Sequence, residues 1–143
     1  MLRYESMVTI DRPPEVVFSY LVEPAKQALW SDVPMRRLSE GPFATGTRFE
    51  VTFGKGPLSA TLGLELTALE PERRMAWRTF SGPIRWTGEY RVTPVDAARA
   101  ELHQEGLLEF TGLWRLLEPL IAGEIRSGEV KELEKLKAAA EAS

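Results

Sequence analysis

Residues 113–140, LWRLLEPLIAGEIRSGEVKELEKLKAAA, form the stretch that decides the fold of this chain. Apolar residues recur through it at helical spacing: Ile121, Ile125, Leu133, Leu136 and Ala140. This spacing, with charged residues between, predicts an amphipathic helix. Pro119 cannot lie deep inside a straight helix, because its ring would clash with the carbonyl group four residues earlier. We therefore expect a short helical piece over 113–118, a kink, and a long helix with Pro119 in its first turn.

The chain before this helix reads mainly as short strands separated by turns. Apolar and polar residues alternate with a period of two, most cleanly over 58–68, as in strands that have one buried face. Gly54-Lys55-Gly56-Pro57 predicts a hairpin turn, and Pro94-Val95-Asp96 predicts another turn. The expected strands are 2–10, 35–39, 47–53, 58–68, 75–81, 86–92 and 100–108.

Two short helices are expected between the first and second strands. Pro13 suits the first turn of a helix, where a proline gives up no hydrogen bond, and Pro24 begins a second helix that ends near Trp30. The order is therefore strand, two helices, six strands and a long helix, which is an α+β arrangement. A helix that follows a complete sheet covers its open face, so a curved sheet and this helix would enclose a cavity.

Composition narrows the class of protein. The 143 residues suffice for a single domain, expected over 1–143, with a core of its own. A net charge of −3 provides no general attraction to nucleic acid. The absence of cysteine excludes disulfides and thiolate metal sites. No apolar run reaches the ~20 residues that span a bilayer, and the N-terminus is unlike a signal peptide, so we expect a cytoplasmic protein without stable membrane insertion.

Several motifs resemble one known family along nearly the whole chain. They are IDRPPEVVF (10–18), Gly41-Pro42 with GTRF (46–49), PERRM (71–75), GEY (88–90), LLEPL (116–120) and ELEKLK (132–137). They resemble the polyketide cyclase/dehydrase-like branch of the START-related superfamily, often called SRPBCC. The resemblance implies a helix-grip fold, in which a curved antiparallel sheet of about seven strands grips a long C-terminal helix over an internal cavity. It also implies a module that binds lipids, polyketides, plant hormones or other apolar molecules in this cavity. Only a minority of the family catalyses reactions.

The strand alternation predicts which side chains face the cavity. Even-numbered residues of 58–68, 86–92 and 100–108 should point inward. The strand over 75–81 is ambiguous, because Phe80 on its other face could also belong to the core; we favour Met75, Trp77 and Thr79. With residues of the C-terminal helix, the candidate cavity-lining set is Phe49, Val51, Leu62, Leu64, Trp77, Thr79, Trp86, Tyr90, Leu102, Gln104, Leu117, Ile121 and Glu124.

Several of these residues could have either of two roles. The aromatic rings could stack on a flat ligand or simply fill the core. The amide of Gln104 could bind a ligand or water, or it could pair with a neighbouring side chain or the C-terminal helix. Glu124 could be a pocket carboxylate or an exposed ion-pair partner. Gly123 and Gly128 could leave room for a ligand or allow close helix–sheet packing.

No catalytic constellation stands out in the sequence. The one histidine, His103, falls on the outward phase of its strand, which argues against a Ser-His-Asp triad and a histidine-rich metal site. Paired carboxylates on the inner face are not visible, and no cofactor is expected. The leading hypothesis is therefore a small protein that encloses a hydrophobic ligand (lipid, polyketide-like or aromatic). The alternatives are a polyketide cyclase/dehydratase-like enzyme and a protein-partner module, and the chain could be a monomer or a homodimer.

Overall fold

A computed structural model describes residues 1–31, 35–53, 57 and 59–143. Seven antiparallel strands form one sheet in the order β1-β7-β6-β5-β4-β3-β2. The strands are β1 (Leu2–Ile10), β2 (Met35–Arg37), β3 (Arg48–Phe53), β4 (Ala60–Glu70), β5 (Arg74–Ser81), β6 (Ile84–Asp96) and β7 (Arg99–Phe110). The helices are α1 (Pro14–Val22), α2 (Pro24–Gln27), a 3-10 helix (Gly112–Leu116) and α3 (Glu118–Glu141).

The C-terminal helix α3 lies across the inner face of the sheet, packed against β1 and α1. Its buried residues join the inward side chains of the strands in one apolar core, which includes Leu62, Leu102, Leu133 and Leu136. Pro119 stands in the first turn of α3, directly after the 3-10 helix, so the predicted short helical piece and the predicted position of Pro119 are confirmed. The α+β helix-grip prediction is therefore confirmed.

Strand β6 continues through the turn predicted at Pro94-Val95-Asp96, so that prediction is wrong. The register between β6 and β7 shifts between Pro94 and Asp96, an irregularity at which a residue without an N–H is tolerated. The chain turns at residues 97–98 instead. There the Asp96 carboxylate accepts a hydrogen bond from the Ala98 N–H at 2.8 Å, as aspartate commonly does at the start of a turn.

A second irregularity changes the phase of β4. The register against β5 shifts between Leu66 and Ala68, so Ala68 pairs with Ala76 and Leu69 pairs with Met75. Leu69 packs against the core in consequence, and the expected inward placement of Ala68 is wrong. Period-two patterning cannot reveal such a shift when the residues on both sides of it are apolar. The predicted hairpin at Gly54-Lys55-Gly56 and the inward placement of Leu58 lie outside the described residues.

Two glycines that pair directly across β6 and β7 shape the inner surface of the sheet. A Cβ on Gly88 would lie 2.3 Å from Cζ2 of Trp77, and a Cβ on Gly106 would lie 2.2 Å from Cζ of Tyr4. The two aromatic rings therefore lie directly on the backbone at these positions. None of the described helices is both long and apolar enough to cross a membrane.

Candidate ligand-binding site

A pocket lies between the inner face of the sheet and α3. Its open space is about 60 Å³ in this conformation. Strands β2 to β6, the segment around α2, and α3 all contribute to its wall. The described lining residues are Gln27, Trp30, Ser31, Met35, Phe49, Val51, Leu64, Met75, Trp77, Trp86, Tyr90, Glu129 and Glu132.

Four aromatic side chains form one continuous wall of this pocket. The ring centroid of Trp77 lies 5.2 Å from those of both Trp86 and Tyr90, and Trp30 meets Tyr90 edge to face at 6.2 Å. Alternation along β6 directs Trp86 and Tyr90 inward, and Gly88 between them leaves the space that the Trp77 ring occupies. Tilted and edge-to-face contacts of this kind are the favoured geometry of aromatic pairs.

The opposite wall carries two carboxyl groups from α3. Glu129 and Glu132 are three residues apart, so they lie on the same side of the helix, and each is only 9% exposed. Burial, with a further contribution from the nearby Glu132 charge, raises the pKa of Glu129 to about 8. Among the described residues, no hydrogen bond or ion pair reaches the Glu129 carboxyl group.

Two phenol groups complete the polar surroundings of Glu129. Burial raises the pKa of Tyr90 well above its usual value, and the charges of Glu129 and Glu132 raise it further. Burial likewise raises the pKa of Tyr4, whose hydroxyl accepts a hydrogen bond from Nε1 of Trp86 at 2.9 Å. Both phenols therefore stay protonated at neutral pH.

Gln104 pairs within the protein, as the second reading of its amide predicted. Its Nε2 donates to Oγ of Ser6 at 3.0 Å and to the backbone carbonyl of Glu129 at 3.1 Å. The amide thus fixes the turn of α3 that carries the carboxyl pair. By contrast, Nε1 of Trp77 is buried and has no hydrogen-bond partner among the described residues.

The structure brings part of the predicted cavity set together at this pocket. Six of the predicted residues line it: Phe49, Val51, Leu64, Trp77, Trp86 and Tyr90. Leu62 and Leu102 are fully buried in the core beside it. The Thr79 hydroxyl accepts a hydrogen bond from the Trp86 N–H at 2.7 Å, so it is engaged within the sheet.

The predicted residues from the C-terminal helix region lie elsewhere. Leu117 and Ile121 are half-buried and outside the described lining, whereas Glu124 is exposed on the opposite side of α3. Sequence reasoning missed Glu129 and Glu132. The apolar stripe recurs every four residues at Ile121, Ile125 and Leu133, and position 129 is the missing member between the last two. A charged residue in that place was the available signal of a buried carboxylate.

Gly123 and Gly128 are not required by close packing. A Cβ at either position would meet no atom within 4 Å, so the close-approach reading does not hold. Residues 118–128, all of which the structure describes, include no buried side chain. Ile121, Ala122 and Ile125 in this first half of α3 are only partly buried against the core, so this half is less deeply packed than the second.

His103 lies on the outer face of the sheet, as its phase predicted, with its side chain partly exposed. Its Nε2 lies 3.0 Å from Oε1 of Glu5, and the ligand atoms of Glu5, His103 and Glu105 all fall within 4.8 Å of one another. Arg91 donates to the Glu105 carboxylate at 3.1 Å, which places a positive charge beside any cation there. Nδ1 of His103 is buried without a hydrogen-bond partner among the described residues, and none of the three residues lines the pocket.

Comparison with known proteins agrees with this architecture. The family model described as "Polyketide cyclase / dehydrase and lipid transport" matches residues 1–141. None of the curated proteins matches the chain.

Several solved structures share the fold. One from Thermus thermophilus has a TM-score of 0.78 at 16% identity, covering 98% of this chain and 97% of that one. The Zhui aromatase/cyclase from a Streptomyces species also has a TM-score of 0.78, at 18% identity, covering 97% and 93%. A di-domain aromatase/cyclase, BexL, has a TM-score of 0.69 at 18% identity, covering 99% of this chain and 47% of its own. At these identities the likeness concerns the fold.

Proposed function

The chain belongs to the polyketide cyclase / dehydrase and lipid transport family, and on that premise we propose that it binds a small hydrophobic, ring-bearing molecule beneath α3. The observation that carries this proposal is the pairing of an aromatic wall with two buried carboxyl groups in one pocket. Ligand sites of this kind are mostly apolar and carry a few polar groups that orient the guest. Family membership supports a ligand-binding or cyclase role.

The aromatic wall would supply most of the binding energy. Burying about 150 Å² of a ligand ring removes apolar surface from water at roughly 25 cal/mol per Å², or about 4 kcal/mol before the costs of association. Trp77, Trp86 and Tyr90 offer ring faces and edges for this contact. Glu129 would then orient a polar end of the ligand.

The pocket must open for a ligand to enter. Its volume of about 60 Å³ lies well below the ~300 Å³ at which drug-sized sites begin. The first half of α3, which directly precedes the lining residue Glu129, has no fully buried side chain and contains two glycines, Gly123 and Gly128, so we expect it to move at lower cost than the second half. We place the entry route beneath residues 118–128.

Native mass spectrometry of freshly purified protein, followed by solvent extraction, tests whether a guest is carried. Phenyl and naphthyl probes extend the test to protein that carries no guest. Their binding can be followed by tryptophan fluorescence, since three of the four tryptophans line the pocket.

Val51→Phe should fill the space and abolish binding. Thr52→Phe places the same side chain on the outward phase of β3 and should leave binding intact. Retained binding in folded Val51→Phe would show that the ligand lies elsewhere.

A second candidate function is a cyclase/dehydratase-like enzyme, and Glu129 is the observation that favours it. A carboxyl group that holds its proton to about pH 8 can donate it to a substrate carbonyl at neutral pH and take a proton back as carboxylate. Linear poly-β-ketones are the test substrates. If Glu129 is catalytic, the turnover rate should change with pH near that pKa. Glu129→Gln should lose this pH dependence while it still binds the probes. Equal turnover in Glu129→Gln and the parent protein would contradict it.

A further inference from the structure

We infer that the guest of this pocket carries a protonated amine, held by Glu129 with Glu132 beside it and surrounded by the aromatic wall. The inference rests on the proposed function, because it names the chemical class of the ligand for that same pocket. It depends on three features of the lining: its charge, its rings, and an unpaired polar group.

The charge of the lining is one-sided. Glu129 and Glu132 are the ionisable acids of the described lining, and no lysine, arginine or histidine is among its described residues. Ionising Glu129 at this depth, with a second carboxyl group on the same face of the helix, is unfavourable unless an opposite charge approaches it. A ligand ammonium group in the pocket would provide that charge. A ligand carboxylate would instead be repelled.

The rings provide the second feature. Opposite the carboxyl pair, the Trp77 ring contacts those of both Trp86 and Tyr90. Trp30 lies beside Tyr90. Aromatic faces attract cations, most strongly for tryptophan, and the attraction grows when the site is dry. Aromatic rings combined with carboxylates are therefore suited to a cation that is attached to an apolar body.

Nε1 of Trp77 provides the third feature. The side chain is 5% exposed and lines the pocket, yet its N–H has no partner among the described residues. A buried donor without an acceptor is unfavourable, so an acceptor atom that reached this N–H would be stabilising. A hydroxyl or ether oxygen on the guest would satisfy it.

Binding of an amine should be coupled to release of a proton. Burial and the Glu132 charge raise the pKa of Glu129 to about 8, and pairing with an ammonium group requires the carboxylate. The titratable groups that face it are Glu132 on α3, Tyr90 on β6 and Tyr4 on β1, and both phenols remain neutral in this range. Affinity for the amine should therefore rise between about pH 6 and about pH 8, by up to about tenfold per unit.

The test compares three probes of similar size: 2-phenylethylamine, 2-phenylethanol and phenylacetate. Calorimetric titrations near pH 6 and near pH 8 should show the amine binding at least about tenfold more tightly than the alcohol at the higher pH. Phenylacetate should bind most weakly. Glu129→Gln should remove both the amine preference and its rise with pH, whereas Glu124→Gln, on the exposed side of the same helix, should retain them.

Thermal unfolding of each variant confirms that it is folded, and the pH slope of the parent protein provides a test that needs no variant. Equal affinity for the amine and the alcohol would overturn the inference while leaving the proposed function standing. An amine preference that survives in Glu129→Gln would overturn it as well. Absence of binding by all three probes would overturn the proposed function and the inference together.

Discussion

The two halves of α3 differ sharply although they belong to one continuous helix. Residues 129–141 contain every buried side chain of the helix: Glu129, Glu132, Leu133, Leu136 and Ala140. Residues 118–128 contain none. In its first half Leu120 is 73% exposed, whereas Leu136 in the second is fully buried.

The second half is also anchored by hydrogen bonds from distant elements. Nζ of Lys137 donates to the Thr9 carbonyl at 2.7 Å, and the Tyr20 hydroxyl donates to the Ala139 carbonyl at 3.3 Å. Arg12 donates to the carbonyl of Glu141. The first half has weaker links, such as the hydrogen bond from Arg126 to the Arg3 carbonyl at 3.3 Å. Segments with few buried contacts open at low free energy, so we expect residues 118–128 to open more readily than the half that carries the carboxyl pair.

The largest expected effect concerns Glu129, the first buried residue in the second half of α3. The folded state raises the pKa of Glu129 from 4.5 to about 8, so the native protein holds a proton that the unfolded chain releases. The stability that this proton provides is complete below about pH 4.5 and is lost as the pH rises through about 8. The loss is of order 5 kcal/mol, for a shift of about 3.5 pKa units at 1.36 kcal/mol per unit.

Glu129→Gln should therefore flatten the decline of unfolding free energy between about pH 5 and about pH 8, and the variant should be the more stable protein at the upper end. Urea unfolding at several pH values measures this. Glu124→Gln on the exposed face of the first half is the matched control and should follow the parent curve. Parallel curves for Glu129→Gln and the parent would mean that Glu129 is solvated, and the pocket wall would then be open.

The next effect compares one leucine from each half. Leu136→Ala should destabilise the protein by about 2–5 kcal/mol, because it removes a fully buried side chain and leaves a cavity. Leu120→Ala should change stability by at most about 0.5 kcal/mol. Denaturant midpoints at one pH measure both. A comparable loss in Leu120→Ala would indicate that the first half is packed against a surface, such as a second copy of the chain.

The contrast between the halves also explains what the sequence could predict. Strict period-two alternation and the placement of Pro119 depend on local sterics, so most of the strands and the start of α3 could be predicted directly. The β4 phase shift could not, because apolar residues occupy both faces around it. The Pro94 turn prediction failed because a strand irregularity accommodates proline as readily as a turn does.

The site was predicted less completely than the fold, for a physical reason. Alternation identifies inward positions such as Trp86 and Tyr90 whatever their chemistry. On the helix, the apolar residues Ile125 and Leu133 place position 129 on the inner stripe, but glutamate is usually solvated, so the residue type argued against burial. The buried carboxyl pair depends on how α3 rotates against the sheet, and Gln104 fixes that rotation through a contact between distant elements.

The smallest effect tests the mobility of the first half directly. Gly123→Ala and Gly128→Ala should each favour the helix by about 0.5–1 kcal/mol, since alanine restricts the unfolded chain and its Cβ meets no atom here. Amide hydrogen exchange over residues 120–128 should slow, while exchange over 132–140 stays unchanged. If this half opens to admit the ligand, probe association should slow as well with affinity nearly constant. Unchanged association in a variant with slowed exchange would place the entry route away from the helix.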